Sequence, residues 1–335
     1  MVKVGIIGAG RMGRRHIEAC LRSGHAVTKI ADHNAESLSL AHDLAPNALA
    51  QDASDVAQSS DLDMVIVATT TTSHAELALR AIDSGVPYVL IEKPLGRSLS
   101  ECDRVVSLAA QRGIRVAVNH PYRHMPPFQR LISLVRSEQF GGLSSMHVVG
   151  GNGGMAMLLT HFVDLFELMS GEPVVSVEAS LPSAIVPNPR GEQYEDFSGT
   201  VRGYSATGRR LTVDLGADQG TGMVVTVAGP RGICTFDMLT GAMTGQVREL
   251  EDRDRPSTQY MFGKPFYEES HSPLDIIEGA RSVIDSLMSG GSYCTLEQGR
   301  RYVEVLITAH AASRLSTRMV VGSPNVDRDE LFPWP

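Results

Sequence analysis

The first 32 residues constrain this chain more than any other stretch. An apolar run, residues 2–7, leads directly into Gly8-Ala9-Gly10-Arg11-Met12-Gly13. A helix-forming segment follows, and a second apolar run ends at Asp32. Strand, glycine turn, helix and strand, closed by an acid about 20 residues past the glycines, is the pattern of a dinucleotide site. Gly8 permits the tight turn, Gly10 lets backbone approach a pyrophosphate, and Gly13 lets the helix pack closely on the strand. The helix N-terminus, with Arg11 and Met12 in its first turn, offers free N–H groups and partial positive charge to phosphate. Asp32 is suited to accept from both ribose hydroxyls, and its charge disfavours a 2′-phosphate, so NAD is expected in preference to NADP. The competing reading is a glycine turn in another α/β protein, such as a methyltransferase with an adenosyl cofactor.

The pattern continues to about residue 120. Short apolar runs at 2–7, 26–31, 64–69, 88–91 and 115–118 read as strands of a parallel sheet covered on both faces. Helices are expected at 12–23, 35–44, 74–84 and 100–112. Gly24, Gly85 and Gly113 stand where left-handed C-caps belong, and Ser98 with Glu101 forms a capping box. Pro121, Pro126 and Pro127 then break the chain. A helix at 128–137, a strand at 144–149, a glycine-rich bend (Gly150, Gly151, Gly153, Gly154) and an apolar helix at 155–169 follow. Residues 173–249 alternate in the β manner with short turns, which implies an antiparallel sheet. Residues 251–273 read as a long loop, and helices at 274–289 and 296–316 close the chain, the last opened by Thr295 and Gln298. The fold class is α/β: a doubly wound Rossmann domain over 1–122, then an α+β substrate-binding and oligomerisation domain over 123–335 with a large, mostly antiparallel open sheet. The C-terminal helix is expected to pack back on the first domain.

Composition narrows the partners. The net charge is −8; residues 1–120 carry 12 Lys+Arg against 13 Asp+Glu, and the remainder 18 against 25. No basic block appears, which argues against nucleic acid or an anionic membrane. Cys20, Cys102, Cys234 and Cys294 are far apart and form no CxxC, so neither a zinc site nor a disulfide framework is expected. The N-terminus runs straight into a strand rather than a signal peptide, and no apolar run reaches the ~18 residues of a membrane span. A cytoplasmic protein without a metal is the expectation.

Lys93 carries the chemistry. It follows the fourth strand in Ile91-Glu92-Lys93-Pro94, at the carboxyl edge of the sheet where ligands bind in such folds. A lysine there polarises a carbonyl, or helps a hydroxyl lose its proton as hydride leaves; the bland alternative is a solvated surface lysine. His161 and Asp164 share a face of the apolar helix, where a histidine is ordinarily a core residue; the glycine bend before it favours a ligand's approach. Arg14 and Arg15 read as a solvated helix face. Tyr122 and Arg123 either line a substrate cleft or cap the domain junction. Lys264 and His271 lie in the expected long loop.

Together these residues resemble the Gfo/Idh/MocA oxidoreductases. The resemblance rests on Gly8 to Gly13, Thr69 through His74, Glu92-Lys93-Pro94, Arg123 with Pro126, His161 with Asp164, and Thr295-Leu296-Glu297-Gln298-Gly299. It implies NAD(P)-dependent hydride transfer at a secondary alcohol or ketone of a sugar, cyclitol or nucleotide sugar. Lys93 is then the catalytic lysine and His161 the active-site histidine. Thr69, Thr70, His74 and Glu92 belong to the cofactor site with Lys93, and Tyr122, Arg123, Met157, His161 and Lys93 to the substrate site. It also implies a homodimer or homotetramer through the open sheet, and a structural role for Asp164. One departure stands out: the family often carries an aspartate one turn before the histidine, and Met157 occupies that place. Thr70 likewise stands where proline is common. Rival readings are an NAD-dependent glycoside-cleaving enzyme that oxidises transiently, and a non-catalytic dinucleotide-responsive regulator.

Overall fold

A computed structural model describes residues 1–151, 153–182, 192–216, 218–252, 255–256 and 264–335. The first 118 residues build β1 (Lys3–Ile7), α1 (Arg11–Arg22), β2 (Ala26–Ala31), α2 (Ala35–Leu44), β3 (Leu49–Ala50), α3 (Ala53–Ala57), β4 (Met64–Val67), α4 (Thr71–Asp83), β5 (Tyr88–Ile91), α5 (Leu99–Arg112) and β6 (Arg115–Val118). The strands form a six-stranded parallel sheet in the order β3-β2-β1-β4-β5-β6. That is the doubly wound Rossmann order, with its switch point between β1 and β4. All four residues of β4 are buried, as a strand covered on both faces requires.

The glycine turn is enforced sterically. Gly8 has φ +95°, and a Cβ there would meet Ala68 O at 2.5 Å; one on Gly13 would meet Gly8 O at 1.8 Å. Gly24, Gly85 and Gly113 take positive φ after their helices. Ser98 caps α5 through Glu101 N, but the Glu101 carboxylate turns to Arg97, so the box is half-formed. α4 begins at Thr71, earlier than expected at 74, because the run of hydroxyl residues Thr70 to Ser73 masks a helix start. β3 and α3 were not anticipated; two and five residues leave too short a periodicity.

The second half contributes a 3-10 turn (Pro121–His124), α6 (Pro126–Arg136), β7 (Ser145–Gly151), α7 (Met155–Ser170), β8 (Ser176–Ser180), β9 (Gly199–Tyr204), β10 (Arg210–Gly216), β11 (Val224–Gly229), β12 (Gly232–Asp237), β13 (Ala242–Val247), β14 (Lys264–Ser270), α8 (Ile276–Ser289), α9 (Leu296–Leu315) and β15 (Met319–Val320). Its nine strands run β14-β13-β12-β11-β7-β10-β9-β8-β15. The sheet is mostly antiparallel, as expected, and β7 and β10 pair in parallel. A correction concerns the loop expected at 251–273. It contains β14, an edge strand paired with β13, whose Pro265, Glu268 and Glu269 disguise it and are tolerated at an edge. His271 follows that strand and faces Glu269 (Nε2–Oε2 3.2 Å). The side chain of Lys264 and the rest of that stretch, 257–263, lie outside the described residues.

The two halves share their cores. Ala280, Val283, Ile284 and Leu287 of α8 are buried with Val4, Ile6, Ile17 and Ile30 of the Rossmann sheet and α1. The approach to α9 bonds the end of β6 (Val118 N to Cys294 O, 3.1 Å). A buried ion pair, Arg123–Asp164, joins the 3-10 turn to α7, and Tyr302 of α9 donates to the same carboxylate at 2.9 Å. All four cysteines are buried and unbridged. Among the described residues no helix is long and apolar enough to cross a membrane.

Since Leu287 is fully buried in the Rossmann core, Leu287→Ala is expected to destabilise the protein by about 2–5 kcal/mol. The urea midpoint measures this; an unchanged midpoint would show that α8 is not part of that core.

Candidate active site

The glycine turn after β1, Asp32 after β2, Ala68 to Thr70 after β4 and Glu92-Lys93 after β5 all lie at the carboxyl edge of the sheet. They border one cleft of about 1010 Å³, which also reaches Met157 of α7 and Gln193 and Tyr194 of the second half. At one end each oxygen of Asp32 takes a backbone N–H, from Ala9 at 2.6 Å and Asn34 at 2.8 Å, which fixes the carboxylate at the rim. In the middle, α1 begins at Gly10 with no side-chain cap and no acid in its first turn. A Cβ on Gly10 would meet nothing within 4 Å. An uncapped helix N-terminus with open space above it suits a pyrophosphate, so the donor set fits a dinucleotide. Arg14, expected in solvent, donates to Ala9 O at 3.0 Å and so braces the turn.

At the other end stands Glu92. It accepts from Asn119 Nδ2 at 2.8 Å and pairs with His16 Nε2 at 2.8 Å. Burial pushes its carboxyl up, but the His16 bond and charge, the Lys93 charge and Asn119 outweigh this and hold it at about 2. Lys93, joined to Pro94 by a cis peptide, reaches across the cleft to donate to Met157 O at 2.8 Å. Its ammonium is thereby carried to the first turn of α7.

His161 lies one turn further along that helix and is not among the residues lining the cleft. Its ring stacks on Tyr122 (centroids 4.4 Å) and meets His120 edge-on (5.1 Å). Burial lowers its pKa well below the ordinary value, and the charges of His120 and Lys93 act the same way. Burial likewise lowers His120 to about 4. Both rings are therefore neutral near pH 7. Nδ1 of His161 and both ring nitrogens of His120 are buried without a hydrogen-bond partner; such groups ordinarily find one.

The structure thus gathers Gly8, Gly10, Arg11, Met12, Asp32, Thr69, Thr70, Glu92, Lys93 and Met157 around one cavity. It places others elsewhere. Gly13 packs under the turn. His74 is buried, its imidazole bonded to Pro94 O (2.8 Å) and Thr69 O (3.2 Å), so it holds two loops rather than facing the cleft. Arg123 is committed to Asp164, and Tyr122 is packed between His161 and Phe128. The glycine bend before α7 admits protein, not ligand: a Cβ on Gly151 would strike Gln219 O at 2.0 Å, and one on Gly154 would strike Asp196 at 2.0 Å. Sequence reasoning did not find His16, Asn119, His120, Tyr194 or Asp196. Tyr194 crosses the cleft to donate to Thr70 Oγ1 at 3.1 Å. Among the described residues no group of three or more His, Cys, Asp or Glu is placed to hold a metal ion.

The profile of the Gfo/Idh/MocA oxidoreductases, a family with an NAD-binding Rossmann fold, matches residues 2–120. Over these residues the chain is similar to that family. An inositol 2-dehydrogenase of Klebsiella pneumoniae (strain 342) is 36% identical over 129 residues, covering 36% of this chain and 38% of that one. Another, of Corynebacterium glutamicum (strain R), is 31% identical over 195 residues, covering 54% and 58%. The chain thus matches 38% and 58% of the lengths of these two relatives. A solved levoglucosan dehydrogenase in complex with NADH superposes with a TM-score of 0.78 at 18% identity, over 96% of this chain and 99% of that one. That likeness is one of overall fold and spans both halves.

Because Glu92 sits at about 2 against an ordinary 4.5, its stabilisation is complete above about 4.5 and fades as pH falls toward 2. Glu92→Gln is expected to cost on the order of 3 kcal/mol at pH 7. The gap from the parent protein, followed by urea unfolding, should narrow as pH falls through that window; a pH-independent gap would contradict the charge argument.

Proposed function

We propose that this protein is an NAD-dependent oxidoreductase that transfers hydride between nicotinamide and a secondary alcohol or ketone on a polyhydroxylated ring, a sugar or cyclitol. One observation carries the reading: a single cleft runs from the Asp32 carboxylate, past the uncapped start of α1, to the Lys93 ammonium. Residues 1–122 hold the cofactor, and 123–335 shape the substrate side. NAD, when bound, supplies the hydride acceptor or donor. Asp32 binds the adenosine ribose and repels a 2′-phosphate. Lys93 steadies the developing alkoxide and passes its proton, with the neutral His161 behind it as the second acid–base group.

The substrate end favours an uncharged polyol over a nucleotide sugar. Beside Lys93 and Glu92, the described lining there includes the hydroxyls of Thr69, Thr70 and Tyr194, the Gln193 amide and the apolar Met157. The names of the relatives, inositol and levoglucosan dehydrogenases, point to the same class. We place the protein in the cytoplasm. We place a homo-oligomer contact on the open face of the large sheet, where Val149 and Ile233 are exposed.

The test is NADH absorbance with a panel of cyclitols, sugars and nucleotide sugars, run in both directions; silence throughout would refute the reading. Lys93→Ala should lower kcat by about 10²–10⁴-fold with NAD affinity nearly unchanged. Asp32→Ala should weaken NAD about 10- to 100-fold, as expected when hydrogen bonds to a charged group are lost, and NADP far less.

A further inference from the structure

The catalytic role just given to Lys93 raises the question of what holds an ammonium against the positive end of a helix. Lys93 reaches Met157 O in the first turn of α7, where the N-terminal N–H groups give a partial positive charge. No acid lies in that turn. We propose that Asp196, from the segment before β9, is the positioning residue for Lys93: its buried carboxylate caps α7 and supplies the negative charge beside the ammonium.

The geometry is specific. Oδ1 of Asp196 accepts from Ala156 N at 2.8 Å and Oδ2 from Met157 N at 3.0 Å. Met157 is therefore held at both ends, its N–H by Asp196 and its carbonyl by Lys93. Asp196 is only 2% exposed. The chain is shaped around it, since a Cβ on Gly154 would stand 2.0 Å from its Cγ. Flanking backbone bonds fix the segment: Met155 N to Phe197 O at 2.8 Å, and Glu195 N to Pro333 O at 2.9 Å. Burial pushes the Asp196 carboxyl up to about 6, against the N–H groups of Ala156, Met157 and Phe197 and the charge of Lys93. The charged group acting on it is Lys93, from the β5 loop; the neighbouring Glu195 is exposed. Above that pH the site holds one buried anion between two positive ends.

This inference deepens the proposed function, but its test runs on the cofactor-free protein. The titration of Lys93 is followed by pH-dependent acetylation with acetic anhydride and mass spectrometry. Asp196→Asn keeps the size and one acceptor oxygen and removes the charge, so the Lys93 midpoint should fall by about one pH unit. In the reciprocal variant, Lys93→Met, the cap is untouched, and the Asp196 carboxyl, read by 13C NMR, should titrate higher. A shift in the stated direction in either folded variant supports the proposal. No shift in any folded variant, even with a lowered melting temperature, leaves Asp196 a helix cap only and overturns it. NAD titration of the parent protein is scored separately: failure to bind NAD would sink the proposed function without touching the Lys93–Asp196 coupling.

Discussion

The site depends on a buried carboxylate at the end of β5. Glu92 is gripped by His16 from α1 and Asn119 from beyond β6, so three elements of the Rossmann sheet are locked to one charge. Losing a single partner would leave the others facing an uncompensated buried ion, which is far costlier than losing an exposed pair. The helix that presents its N-terminus to phosphate and the strand that delivers Lys93 therefore move as one body. Rigidity of this kind matters because acid–base groups act only over hydrogen-bond distances. The ion pair Arg123–Asp164 does the same one layer further out, with Tyr302 completing the shell around α7.

What could be read from the sequence was what lies close in sequence. The glycine turn and Asp32 were legible because steric need and spacing are local, and the structure shows the Gly13 clash that forbids any other residue. Lys93 was legible through its place after a strand. His16 and Asp196 were not, because their partners lie 76 and 39 or 40 residues away. A histidine in a helix and an aspartate before a strand carry no local mark of such pairings. The glycine-rich bend was seen, but its cause was misjudged: bare backbone accommodates a protein carboxylate as readily as a ligand, and spacing cannot distinguish them. Similarly, α8 belongs to the Rossmann core although it lies more than 150 residues past the proline break, a closure that only tertiary packing reveals.

The substitution at Met157 acquires a physical meaning from this arrangement. A side-chain acid at that position would project toward the cleft; methionine lines it instead and offers only soft apolar surface. A carboxylate stands at the N-terminal end of this helix, where Asp196 accepts from the Met157 backbone N–H. In the proposed function a polyol would meet the apolar side chain of Met157 and the hydroxyls of Thr69, Thr70 and Tyr194, which line the same cleft.

His120 and His161 together carry three buried ring nitrogens without a hydrogen-bond partner. His120 and His161 are neutral because burial makes their charged forms unstable, and the nearby ammonium makes them more so. Near neutral pH both rings therefore stay uncharged at equilibrium. These rings pack with Tyr122 and Tyr302, and neither lines the cleft. Asp196 is a buried acid poised near neutrality, its carboxyl pushed up to about 6 by burial against the N–H groups of Ala156, Met157 and Phe197 and the charge of Lys93. In the proposed function a cation stands at the cleft, neutral rings lie deeper, and a carboxylate caps the helix end.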